Sequence, residues 1–228
     1  EQSEPRVDLM RGCVAELCAL DLDATYQHAF VSIRQLALHL RNAMVHNHKG
    51  AKDTLQHVYS WQFVNCLKLW AAVLSAHAAP NQLRALIHPL VQIILGAICL
   101  VPSARYFPFR FHCVRLLHQL AANALVYIPT PGVLLDVLEC ADLAKKPKPS
   151  TAARPELRLV VKLGADAVAT HAAQDAVVCE ALALLRPATD VYRFNVGFPE
   201  LTVPVVMRLR AFAKATKVPR WASLARAL

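Results

Sequence analysis

The chain has 228 residues, enough for one large domain or one continuous repeat array that hides roughly 70% of its unfolded surface. Hydrophobic residues make up 56% and charged residues 18%, which is apolar for a free soluble monomer. That balance implies a helix-rich core, an apolar surface covered by a partner, or both. The net charge of +9 is segregated: residues 54–135 carry five basic side chains and no acid, and residues 201–228 carry six and no acid. Segregated positive charge suits RNA or an acidic protein surface.

The apolar pattern reads as a succession of helices. Val7, Met10, Val14, Leu17 and Cys18 share one face of a first helix over 7–20. Asp21-Leu22-Asp23 breaks it, and either aspartate can cap the next helix. That helix runs over 24–47, with Phe30, Ile33, Ala37, Leu40 and Met44 recurring at three or four residues. The polar stretch 46–53 is a connector or a frayed helix end. A third helix is predicted over 54–78 and ends at Pro80-Asn81. A fourth covers 82–101, with Pro89 perturbing its second turn. A fifth covers 103–126, whole or split at Pro108, which either starts or kinks a helix.

Pro129 and Pro131 precede a sixth helix over 132–143. Residues 144–155, AKKPKPSTAARP, are the best linker candidate and the segment expected to be most mobile. They separate a helical-repeat region, 1–143, from a C-terminal helical region, 156–228, that continues the same array. ELRLVVKL at 156–163 is the one segment expected to be extended. Helices follow over 165–187 and 198–216, and a short last one over 218–228. The fold class is all-α. Helices of about 20 residues joined by short Pro-marked turns predict an irregular HEAT-like α-solenoid of stacked antiparallel helix pairs, or else a compact helical bundle.

Seven cysteines, none in CxxC, fit a reduced nuclear or cytosolic compartment better than an oxidising one. The most apolar run, residues 90–101, has twelve residues, and a membrane span needs about 20, so no membrane association is expected. No P-loop, GxGxxG, HExxH or GxSxG pattern occurs. Cys113 and His118 are five apart and share no helical face well, so zinc is not expected. His112 and His118 are expected to pack beside aromatics or bond a backbone carbonyl. The chain reads as a non-enzyme without a cofactor.

LVPSARYFPFRFHCVRLL (100–117) sets Pro108 among Tyr106, Phe107, Phe109 and Phe111, with Arg105, Arg110 and Arg115 at intervals of five. Helical residues five apart are about 140° apart, so these arginines form no single stripe. Trp61, Trp70, Tyr106 and Phe109 are predicted anchors, in the core or against a partner helix. Arg105, Arg110, Arg115, Lys145, Lys146, Lys148, Arg210, Lys214 and Lys217 are candidates for RNA or an acidic partner. Arg210, Lys214 and Lys217 lie four and three apart and can line one helical face, with Val205, Val206, Leu209 and Phe212 packing inward.

The 100–117 block, YQHAFVSIRQLALHLRNAM (26–44), VYSWQFVNCLKLW (58–70) and FPELTVPVV (198–206) together resemble the nucleolar complex protein 2 family. The likeness runs from about Asp21 to the last residue. It implies a central-to-C-terminal piece of a longer protein. It further implies a role in assembling the large ribosomal subunit in the nucleolus and nucleoplasm. The implied partners are nucleolar complex protein 1 and nucleolar complex protein 3 family proteins and the precursor particle, including its ribosomal RNA. A chromatin or transcription regulator that binds acidic or histone-type partners is the alternative reading of the same basic helices.

Overall fold

A computed structural model describes residues 4–47, 52–77, 81–145, 147–148 and 153–228. Among these residues the chain is helical, and no strand occurs; a lone bridge pairs Lys148 with Thr170. The helices are α1 (Glu4–Leu17), α2 (Leu22–Asn47), α3 (Lys52–Val58), α4 (Trp61–Ala76), α5 (Ile87–Cys99), α6 (Phe107–Ala124), α7 (Thr130–Leu138), α8 (Ala141–Ala144), α9 (His171–Asp190), α10 (Phe198–Ala215) and α11 (Pro219–Arg226). Two compact units share them. Residues 1–102 and 119–127 form the first, and residues 103–118 and 128–228 the second.

In the first unit, Asp21 starts α2 by accepting the backbone N–H groups of Asp23 and Ala24, each at 3.0 Å. This satisfies donors that a helix start leaves unpaired. The buried face of α2 is Thr25, Ala29, Ile33, Leu36, Leu40 and Ala43. It differs from the expected stripe, because Phe30 and Met44 are exposed. The single helix predicted over 54–78 is two. Its chain breaks at Tyr59-Ser60, where the Ser60 hydroxyl accepts the Phe63 N–H at 3.2 Å and caps α4.

α1 also departs from the expected face. Val7, Met10, Val14 and Leu17 of that face are exposed and only its Cys18 is half-buried; Arg11 and Ala15, on the flank next to Cys18, are half-buried too, and α1 packs on α4. Residues 82–99 are long and apolar enough to cross a membrane by composition. Here they form a 3₁₀ turn and α5, with Leu83, Leu86, Ile87, Leu90, Ile94 and Ala97 in the core of the unit. Gly96 lets α2 approach closely: a Cβ there would stand 2.9 Å from Leu40 Cδ2.

In the second unit, a 3₁₀ turn at Ala104–Tyr106 leads into α6, and Pro108 occupies its second position, where a missing N–H costs nothing. α7 packs on α9 and α10, and α11 packs on α9 and α10. Their shared core includes Phe107, Phe111, Leu134, Leu138, Leu182 and Trp221.

Leu143, before the 144–155 segment, and Leu157 and Leu163, after it, belong to that same core. The compact units therefore do not divide at the predicted linker. Residues 146 and 149–152 of that segment lie outside the described residues. Lys148 is held by its backbone: its N–H donates to Ala169 O at 2.8 Å, and its carbonyl accepts from His171 N at 3.2 Å.

Residues 156–163 are not a strand. Their backbone bonds go to the start of α6 instead. Phe109 N donates to Val161 O at 3.1 Å, and Leu163 N donates to Arg105 O at 2.8 Å.

Candidate partner and nucleic-acid interface

The aromatic anchors divide by burial. Trp70 on α4 is buried in the first unit, whereas Trp61, at the start of the same helix, stays partly exposed with the Lys68 ammonium 5.6 Å from its ring centroid. Phe109 on α6 is buried in the second unit, and Tyr106 in the preceding turn is half-buried. Trp61 and Tyr106 thus keep surface that a partner can cover. Trp70 and Phe109 are spent on the core.

The arginines around Pro108 are not a free basic surface. Arg110 is buried, with its guanidinium 5.5 Å from the Phe107 ring centroid, because the first turn of α6 sinks into the core. Arg115 is paired with Glu180 of α9. Arg105 is exposed, but its Nε donates to Leu163 O at 3.1 Å and so pins the 156–163 segment. His112 acts on the same segment, with Nε2 3.2 Å from Val160 O. These side chains position backbone.

Of the 145–148 cluster, Lys145 pairs with Asp142 at 2.7 Å, and that carboxylate raises its pKa. Lys146 lies outside the described residues. The Lys148 side chain is exposed.

The acid-free C-terminus separates into paired and free cations. Arg208 reaches α7, with Nε 2.7 Å and Nη2 2.8 Å from the two Glu139 carboxylate oxygens, and Nη2 also 2.8 Å from Asp136. The guanidinium beside it holds the Glu139 carboxyl below the usual carboxylate range. Arg220 lies 3.2 Å from Asp175. Arg210, Lys214 and Lys217 are exposed and have no ion-pair or hydrogen-bond partner among the described residues. Arg210 and Lys214 sit one turn apart on α10, where cations also favour the negative helix end. Lys217 does not continue that face. α10 ends at Ala215, and Val218, ahead of Pro219, is extended.

On α10, Val205, Leu209 and Ala213 face the core, and Phe212 packs against it. Val206 departs from expectation, being exposed with Val203 and Met207. The outer side of α10 therefore passes from Val203 and Met207 to Arg210 and Lys214, apolar first and basic last.

Two features escaped the sequence. Asp175 on α9 is a buried carboxylate that accepts the Trp221 indole N–H at 3.1 Å. The acids facing Arg208 are 69 and 72 residues away in the chain. The only signal for either was the return of acids in residues 136–200. Among the described residues no group of three His, Cys, Asp or Glu side chains is placed to hold a metal ion. Burial drives the Cys113 thiol pKa far up, against the pull of Arg110.

His118 on α6 lies with Nε2 3.1 Å from Thr130 Oγ1. Burial first, and the Arg115 charge second, lower its pKa to about 4. An unfolded histidine titrates near 6.5, so between those values the unfolded chain binds the extra proton. Stability from this site is complete above about pH 6.5 and falls as the pH drops toward 4, by on the order of 3 kcal/mol in all. In His118→Phe the loss of melting temperature from pH 7 to pH 4.5 should be smaller than in the parent. Equal losses would contradict the assignment.

The family model described as the Noc2p family matches residues 1–228. The chain belongs to the Noc2p family. It is 40% identical to the Arabidopsis thaliana nucleolar complex-associated protein 2, over 94% of this chain and 28% of that protein. It is 37% identical to the Drosophila melanogaster nucleolar complex protein 2, over 96% of this chain and 28% of that protein. A Caenorhabditis elegans nucleolar complex protein 2 homolog is 32% identical, over 93% of this chain and 30% of that protein. The chain thus spans under a third of the length of these relatives. Their names make the nucleolus the compartment of this Noc2p family member.

Proposed function

We propose that this chain is a non-enzymatic scaffold segment in nucleolar ribosome biogenesis. In this reading it serves assembly and maturation of the large-subunit precursor, including its passage to the nucleoplasm. Membership of the Noc2p family over the whole chain carries the proposal. Its protein partners are nucleolar complex protein 1 and nucleolar complex protein 3 family members, with Trp61 and Tyr106 as contact residues. Stacked helix pairs in a HEAT-like array would give such a scaffold its long ridges.

Precursor ribosomal RNA is the partner proposed for Arg210, Lys214 and Lys217. Their exposure and lack of internal partners support this, since a paired cation has little charge left for a phosphate. The test replaces all three with Glu in the full-length protein and follows it on gradients of precursor particles. The log–log salt dependence of RNA binding should flatten by about one unit for each phosphate that the variant no longer neutralises. Particle association should fall with the helical content intact. Unchanged association and unchanged salt dependence would remove RNA from the role of this end of α10.

A further inference from the structure

α2 carries a second apolar stripe on the side turned away from its own core. Leu36 is 6% exposed and Leu38 is 46% exposed, two residues and roughly 200° apart around the helix. Val31 and Val45 lie seven residues to either side of Leu38 and are 54% and 56% exposed. Phe30 adjoins Val31 and is 47% exposed. Arg34 and Arg41, also seven apart, stand between these apolar side chains and are exposed. The order Val31, Arg34, Leu38, Arg41, Val45 is thus a spacing of three, four, three and four, the seam that a second helix packs into. It rises about 21 Å along the axis, close to four turns.

A helix apolar on both sides is ordinarily covered on both. We infer that this outer face of α2 docks an acidic amphipathic helix of a partner protein. Charge selects the occupant. No carboxylate occurs between Asp23 and Asp53, and neither Arg34 nor Arg41 has an ion-pair or hydrogen-bond partner among the described residues. A helix with apolar residues at the seam and Glu or Asp flanking them would satisfy both guanidinium groups while covering Val31, Leu38 and Val45. A second copy of α2 would set arginine against arginine. RNA would leave four large apolar side chains against phosphate and sugar. The inference concerns a different face from the α10 site and does not rest on the nucleolar assignment.

Two measurements on the full-length protein test it. In the first, a synthetic three-heptad helical peptide with Leu at the seam and Glu beside it is titrated against parent protein and Arg34→Glu/Arg41→Glu. Both arginines are exposed, so the fold should persist, as circular dichroism would verify. Binding should weaken by about tenfold in the variant. A peptide with Lys in place of Glu should then bind the variant better than the parent. Equal binding of both peptides to both proteins would overturn the proposal. In the second, a photo-crosslinking residue replaces Leu38 in cells and the joined peptide is sequenced. Attachment to an acid-rich amphipathic segment of another protein is expected. Attachment to RNA, attachment to another copy of this chain, or no product at all would overturn it.

Discussion

Replacing Trp221 with Ala should destabilise the second unit by about 3–5 kcal/mol, the range for cutting a buried aromatic to Ala. Trp221 is 2% exposed in the core shared by α9, α10 and α11. Its indole N–H donates to Asp175 Oδ1 at 3.1 Å, and Asp175 is itself only 6% exposed. The truncation therefore opens a cavity and strips a buried carboxylate of its buried donor. Arg220 and Arg154 approach the other carboxylate oxygen at 3.2 Å and 3.8 Å, but from exposed positions, and soften the loss without cancelling it. Trp221→Phe separates the two effects. It keeps a six-membered ring, loses the donor and leaves a smaller void than Ala does, so a cost below that of Trp221→Ala is expected, of which the bond to a charged group accounts for about 1.5–3 kcal/mol. Urea unfolding of the chain reads both. A Trp221→Ala midpoint equal to the parent would show that this side chain does not hold the unit together.

In the first unit the largest effect falls on Trp70. Trp70→Ala should cost about 3–5 kcal/mol, because the ring is buried on α4 and also walls a groove of about 280 Å³ with Leu36, His39, His57, Phe63 and Cys66. Trp61, nine residues earlier on the same helix, is 37% exposed, and its Ala variant should cost less than half as much. The pair is informative because sequence alone treats both tryptophans as anchors. If Trp61→Ala destabilised as much as Trp70→Ala, the assignment of Trp61 to surface left for a partner would fail.

The helices were legible because apolar residues recur at three and four along most of the chain, and because Asp21 and Pro108 stand where helices begin. Which side faces inward was not legible on α1 and α2: α2 carries two apolar sides, and on α1 the half-buried residues Arg11, Ala15 and Cys18 are less apolar than the exposed Val7, Met10, Val14 and Leu17. On α2 small residues decided the matter: Ala29 and Ala43 allow close packing, and the bulkier Phe30 and Met44 were left outside. The break at Ser60 was hidden because 54–78 keeps its apolar content through the turn. Residues 156–163 alternate as a strand would. Their N–H and C=O groups found partners at the start of α6, and no neighbouring strand exists among the described residues to pair with.

The candidate site was legible as composition and, for Arg210 and Lys214 on α10, as helical spacing. Six cations in the last 28 residues stand out in the sequence. That Arg208 is neutralised by α7 and Arg220 by Asp175, while Arg210, Lys214 and Lys217 are left free among the described residues, depends on pairings across the fold. Spacing could not reveal those pairings. Nor could it reveal that Thr216 leaves the helix and takes Lys217 off the α10 face.

The scaffold reading is tested most directly by depleting the full-length protein from cells and restoring it, with ribosomal precursors followed on sucrose gradients. The protein should sediment with large-subunit precursor RNA, its depletion should lower mature large subunits while small subunits persist, and the intact protein should restore them. A protein that stays at the top of the gradient, with large-subunit production unchanged on its loss, would contradict it.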